Sequence, residues 1–509
     1  MRPGDGRPHR VCVKRGRESG FVFILAITAL AVLLLLGGIS IHIAMQSLDR
    51  ATKQRNSAIA FDLAEAGADS GEAWLREQGS PPTGLLPLDP LGGTRTLDTG
   101  TYRATITPHP DNPGAWRKSF TIVGEGTAAR GGTTGKVILQ VKEQSFALYA
   151  YFTDQERSSV TNGTIWFYAR DRIHGPAHSN DRFHIAWSST SADPIFYGTV
   201  SSASASVDWR PSAPSTQQDW RRILQGGQDA LTLGVDRIEL PTMSDMQRDA
   251  AWGDSVGFPS TNGVYLPMAA GVTGGIFVRG DCQVQFSVGV SSGDQIISIT
   301  QGTKTTTVTV DLDGNQITLS DGTPAGTHTH AGLPNGVLYC TGNITSLKGT
   351  LADNYQNGAQ IVTRNAWTVA TDVAAGKDIT LTDSLKYQTE PMSDQPATYP
   401  NNLRAATLGL LADDIVVGSG CPSEMTIDGV ILANGSFYYA SWDTKKRSNL
   451  HILGGVIQRK RGPVGQFDSN NTLVSGYNKD YRYDIRMPDS PPPYFPTTGQ
   501  YEVVSWQCK

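Results

Sequence analysis

Asp378, Asp383, Asp413 and Asp414 are the carboxylates of this chain that could serve acid–base chemistry on a carbohydrate. Asp413 and Asp414 are adjacent, and neighbouring side chains on a strand point to opposite faces, so they cannot act as a pair. All four read better as turn aspartates that bond nearby backbone. No nucleophile–base constellation accompanies them, so the expectation is a protein that is not an enzyme and needs no cofactor.

His174, His178 and His184 form one candidate metal set, and His328 with His330, two apart on one strand face, form a second. No third ligand can be placed beside the second pair, and exposed loop histidines are the default reading of both sets, so no metal is expected. Asp311-x-Asp313-Gly314-Asn315 has the composition of a calcium loop, but its Gly comes too early and the distal Glu is missing. A tight β-turn explains it better.

Two basic runs, Lys445-Lys446-Arg447 and Arg459-Lys460-Arg461, are the residues suited to DNA contact. Successive coils could bring them together, with Tyr438, Tyr439 and Trp442 offering rings for stacking on a single strand. Against this stands the overall charge of −4 from 43 basic and 47 acidic residues. Charge of that sign argues against wholesale capture of nucleic acid, and a solvated basic face is the plainer reading.

Five cysteines are present, and Cys12 lies in the N-terminal leader. Cys282, Cys340, Cys421 and Cys508 remain, an even set that suits an oxidising compartment. Three pairings are open. Cys282–Cys340 and Cys421–Cys508 are favoured, the first because the two local contexts match, the second because it tethers an end. No Cys-x-x-Cys spacing supports zinc.

The N-terminal 78 residues explain how these groups would be presented. A basic leader, residues 1–20, ends in Arg17-Glu18-Ser19-Gly20, and an apolar run from Phe21 to about Met45 follows it. That run is long enough to span a bilayer. The arginines and lysines before it place the leader in the cytoplasm and the rest outside. A secretory signal is cut after its apolar region. Here the candidate cleavage site, Gly20|Phe21, comes before it, so the apolar run would survive. Loss of the leader removes six basic and two acidic residues and takes the charge to −8.

No proline interrupts Phe21 to Trp74, which predicts a helix of about 80 Å over residues 21–78. Beyond the apolar run, Ile59, Leu63 and Ala66, and likewise Phe61, Ala64 and Ala68, make a narrow stripe. Residues 79–145 then predict a loop and an antiparallel meander through 101–107, 119–127 and 136–141. From 146 to 509, short β segments recur every 15–25 residues between Gly, Asn and Asp, the pattern of a parallel β-solenoid. A hairpin excursion near 283–332 and a short helix near 243–252 interrupt it. The expected fold class is α+β, mainly β.

Phe61-Asp62-Leu63-Ala64-Glu65-Ala66-Gly67, with the leader and apolar run, resembles the N-terminus of PilX-type minor pilins. Asp171-Arg172-Ile173-His174-Gly175-Pro176, Gly476-Tyr477-Asn478-Lys479-Asp480-Tyr481 and Pro491-Pro492-Pro493-Tyr494-Phe495-Pro496 resemble the solenoid region of large bacterial minor pilins, the group that holds competence pilins. The resemblance implies cleavage after Gly20 by a prepilin peptidase and methylation of Phe21. It implies assembly with other pilins from the inner membrane, and a solenoid displayed at the cell surface toward a surface or DNA. Major pilins carry Glu at the fifth mature position. Leu25 stands there instead, which suits a subunit at the filament tip or one that initiates assembly. A type II secretion pseudopilin and a membrane-anchored solenoid enzyme are the alternatives.

Overall fold

The structure, a computed structural model, describes residues 19–509 apart from 79–80, 83, 113–114, 169–170, 189–192, 254–256, 268–273, 291–292, 359, 392–403 and 469–471. The expected leader lies outside the described residues up to position 18. Helix α1 runs without a break over Ser19–Glu77. Its outer half buries Asn56, Ala60, Leu63, Ala64, Gly67, Ala68, Gly71 and Leu75, one stripe at helical spacing. Phe61, expected in the stripe, is half-buried and meets Trp506 edge-on at 6.1 Å.

That stripe rests on an antiparallel sheet of β1 (Arg95–Leu97), β2 (Gly100–Pro108), β3 (Ser119–Ala128) and β4 (Thr134–Ser145). Strand β3 alternates strictly, burying Phe120, Ile122, Gly124, Gly126 and Ala128. The glycines are there for closeness. A Cβ on Gly124 would overlap the Ala64 carbonyl, and one on Gly126 the Ala60 carbonyl. From the helix side, a Cβ on Gly67 would stand 2.6 Å from the Arg103 oxygen and one on Gly71 2.7 Å from Ile122.

A fifth strand completes this sheet, and it comes from the far end of the chain. Thr497–Cys508 pairs antiparallel with β4, Glu502 opposite Lys142 and Cys508 opposite Val137. Residues 497–508 therefore belong beside β4 rather than with the expected coils of 146–509. The chain leaves the sheet at Phe146 and returns at Pro496, and these two crossings touch: the Phe146 N–H donates to the Pro496 carbonyl at 3.0 Å.

The large β body is built on parallel ladders. One column of facing residues runs Ile276, Leu338, Val369, Leu410, Ile431, Val456, Tyr151, Ala177, Val200 and Leu231, each in parallel register with the next. All but Leu231 are buried. A second parallel ladder joins Cys282–Val288, Ile344–Leu351, Ile379–Tyr387, Ile415–Val417 and Phe437–Tyr439. The column does not follow chain order. The chain enters in the middle at Tyr151 and steps to Leu231, then resumes at the opposite end with Ile276 and steps back to Val456 beside Tyr151.

Helix Asp245–Trp252 lies within the connection between the two runs and occupies the expected short helix. The excursion after Cys282 contains four consecutive antiparallel pairings, of which the turn at Asp313-Gly314 is one.

Gly124→Val tests the helix–sheet contact. Overpacking there should cost about 1–3 kcal/mol and lower the unfolding midpoint of the detergent-solubilised chain. Gly37→Ala, whose Cβ meets nothing within 4 Å, should leave the midpoint in place. Equal melting of both variants would contradict the close approach.

Candidate functional site

The first half of α1 is an apolar rod. Phe21 is 73% and Leu25 60% exposed, and the apolar residues from Phe21 to Leu48 touch nothing that hides them. Mean hydropathy over its best 18-residue window reaches 2.9, and among the described residues it is the helix long and apolar enough to cross a membrane. Its polar groups are satisfied within the helix: the Thr28 hydroxyl donates to the Ile24 and Leu25 carbonyls, and Gln46 bonds His42 at 2.9 Å. Gly37 and Gly38 do not interrupt it. An uncovered apolar surface of this length calls for lipid or protein around it. Gly20 and Phe21, the expected cleavage and methylation pair, sit in its first turn.

The two basic runs lie at the two ends of one strand, Lys446–Arg461. Both ends lean toward Phe437–Tyr439: Arg447 Nε donates to the Tyr439 hydroxyl, and the Tyr439 N–H donates to the Pro463 carbonyl. Their side chains have different fates. Arg461 is 3% exposed, ion-paired to the fully buried Glu156 at 3.0 Å and packed 3.8 Å above the Phe167 ring. It cannot reach a phosphate, so its expected place in a DNA surface is corrected. Arg459 is committed to Asn434, while Lys445 and Arg447 donate to the Ser419 carbonyl. Lys446 and Lys460 are exposed. Tyr439 is buried, leaving Tyr438 and Trp442 half-exposed as rings.

The aspartates form a corner ladder. Asn343 N–H donates to Asp281, Asp378 N–H to Asn343, Asp414 N–H to Asp378 and Ser436 N–H to Asp414, at 2.7–3.0 Å. Each rung's side chain thus satisfies the backbone of the next. Burial raises the Asp378 and Asp414 carboxyls, and repulsion from the neighbouring Asp413 charge adds to both. Asp383 instead caps its neighbour, accepting from Ser384 N–H.

The histidines are separately engaged. His178 is buried between Ser201 and Asn180, and burial lowers its basicity. His174 stacks on Tyr197 at 4.0 Å, and His184 Nδ1 lies 3.0 Å from Asp208. His328 and His330 share a strand opposite Leu319 and Ile317. Asp311 accepts from Gly314 N–H in the expected turn, which holds its carboxyl below the usual range.

Cys282 and Cys340 lie side by side, buried and unbonded, with sulfurs 3.6 Å apart. Cys421 is buried and donates to the Leu381 carbonyl, whereas Cys508 is exposed on the strand beside β4. The expected Cys421–Cys508 bridge is therefore corrected: both thiols are free, Cys421 in a loop of the large body before strand Met425–Ala433 and Cys508 on the small sheet opposite Val137.

Residues 118–205 match the model of a domain of unknown function, DUF4900. No curated protein matches the chain. The solved structure of the competence-associated pilin ComZ from Thermus thermophilus is similar at 14% identity, covering 89% of this chain and 97% of that one, with a TM-score of 0.28. So loose a superposition carries no functional weight.

Sequence reading missed the buried seam where the two runs of the column meet. Arg461–Glu156 is joined there by Lys479–Asp171 at 3.2 Å, with Tyr151 donating to Glu156. The charges were visible but their partners lie some 300 residues away, and only the three-dimensional path unites them.

Removing one partner of a buried ion pair strands the other charge. Arg461→Met should destabilise the chain by about 3–5 kcal/mol, and Lys446→Gln by no more than about 0.5. Chemical denaturation reads both, and equal stability would contradict the buried assignment.

Asp428 gives a second test. Desolvation pushes its carboxyl up to about 7, and among the described residues its Oδ1 has no partner while Oδ2 accepts from Tyr387 N–H. A carboxyl raised in the folded state binds its proton more tightly there than when unfolded. Its contribution is therefore full at low pH and falls as pH climbs from about 4 to about 7. Asp428→Asn should leave the melting midpoint nearly unchanged at pH 4 and raise it at pH 8. An equal shift at both would contradict the buried-carboxylate assignment.

Proposed function

We propose that this protein is a minor subunit of a type IV pilus, cleaved after Gly20 and methylated on Phe21, that displays a β-solenoid for contact with a surface or DNA. The observation that carries the reading is the division of α1. One half is a bare apolar rod, and the other is clamped backbone to backbone on a small antiparallel sheet. A rod so held can leave lipid only by exchanging it for the apolar helices of like subunits. The inner membrane and other pilins are thus its successive partners, and the prepilin peptidase acts before assembly.

The stacked parallel ladders support the solenoid, with its corners turned by the Asp281–Asn343–Asp378–Asp414 chain. Leu25 in place of a carboxylate supports a tip or initiating position, since an unpaired acid in lipid would be costly. With Arg461 buried and Arg459 held by Asn434, DNA contact is left to Lys445, Lys446, Arg447 and Lys460, which favours a weak patch over a groove. Catalysis is not part of the proposal, because Asp378 and Asp414 are spent on backbone N–H groups.

Shearing filaments from cells tests this. The chain should appear in the sheared fraction with the major pilin and vanish from it when the prepilin peptidase is deleted. Recovery only with the secretion apparatus would replace the pilus by the type II pseudopilin reading. Retention in the membrane whatever the peptidase would overturn both.

A further inference from the structure

A cleft of about 610 Å³ opens where the small sheet meets the large body, a volume in the range of small-ligand sites. Three walls enclose it: the small sheet, the large body and the connection between them. Trp116 and Arg117 come from the loop before β3, and Lys142 from β4. Asn354, Arg364 and Thr407 come from the large body, where Ala366 and Thr407 face one another in the parallel ladder. The connection 485–491, on its way back to the small sheet, closes the third side.

The cations of the cleft divide into two kinds. Arg117 is buried and committed to Glu502 at 2.7 Å and to the Glu143 carbonyl. Arg486 is likewise committed to Asp484 and to the Ala405 and Ala406 carbonyls. Lys142 and Arg364 are not: among the described residues neither the Lys142 ammonium nor the Arg364 guanidinium has a hydrogen-bonded or ion-paired partner. Burial and the nearby Arg117 charge lower the basicity of Lys142, and the Glu502 and Asp489 carboxylates offset this only in part, so an incoming anion would add to their effect.

The other walls suit something richer than a bare anion. Trp116 is half-buried, steadied by Tyr494 at 6.3 Å and by Arg117 at 5.8 Å, and lines the cleft. Thr407 and Ser490 bring hydroxyls that have no hydrogen-bonded partner among the described residues, and Asp489 brings a carboxylate. An acceptor of that charge repels a phosphate dianion but welcomes sugar hydroxyls. We propose that this cleft binds an acidic sugar, its ring against Trp116 and its carboxylate held by Lys142 and Arg364. Hydroxyls of the sugar then meet Asp489, Thr407 and Ser490. The proposal does not depend on filament assembly, because the cleft belongs to the single chain.

The test is calorimetric titration of the full chain in detergent micelles with oligogalacturonate, a neutral galacto-oligosaccharide, and inorganic phosphate. Oligogalacturonate should bind, and the neutral sugar at least about tenfold more weakly, as loss of a charge-assisted contact implies. Arg364→Gln, at an exposed position that should not disturb folding, should weaken the acidic sugar about tenfold with an unchanged melting midpoint. Lys142→Gln should do the same. No heat with oligogalacturonate would overturn the proposal, as would equal binding of the neutral sugar or indifference to both substitutions. Phosphate binding that both substitutions abolish, without sugar binding, would reduce the cleft to a plain anion site and also overturn it.

Discussion

Helix α1 and its sheet meet with no side chain between them at Gly124 and Gly126, where the Ala64 and Ala60 carbonyls take the space a Cβ would need. Contact at that distance leaves the helix neither room to roll nor room to slide. The direction of the rod from Phe21 to Leu48 is therefore set by a few glycines beyond it. Dispersion across so close an interface is collectively large even where the residues are small. Ala60, Ala64 and Ala68 serve here where larger side chains would hold the helix away.

The sheet passes that restraint to the outer body through its last strand. Thr497–Cys508 lies against β4, and Arg117 ties Glu502 to the Glu143 carbonyl and, at longer range, to Pro488. Entry and exit run side by side at Phe146 and Pro496, so the large body hangs from two crossings of the chain rather than one. Its midpoint is closed by the seam at Tyr151 and Val456, where Arg461 and Lys479 sit buried beside Glu156 and Asp171. Buried charges of this kind cost desolvation and are tolerated when fully paired, and they penalise any other register. A parallel stack of similar rungs is prone to slip by one rung, and a unique pair of charges at the seam counters that.

What could be read from the chain, and what could not, follows the range of the interactions. Helix α1 and strands β2 to β4 were legible because periods of 3.6 and 2 are local. The corner aspartates were legible in kind, since Asp378 and Asp414 recur near the starts of strands, though not the bonds joining one rung to the next. The strand at 497–508 was not legible: it alternates as any exposed strand might, and nothing near it names β4 as its partner. Arg461 misled for the same reason. Beside Arg459 and Lys460 it looks like a surface cluster, and only Glu156, distant in sequence, turns it inward. The Cys421–Cys508 expectation failed because Cys508 follows the returning strand. Chain order also hid the path of the column, which starts in the middle at Tyr151 and finishes there at Val456.

The mass of the N-terminal peptide of the membrane-extracted protein bears most directly on the central claim, that α1 is a pilin helix freed of its leader. The account predicts a peptide that begins at N-methylated Phe21. A peptide that still carries Arg17-Glu18-Ser19-Gly20, in cells with an active prepilin peptidase, would contradict it and leave a plain membrane tether.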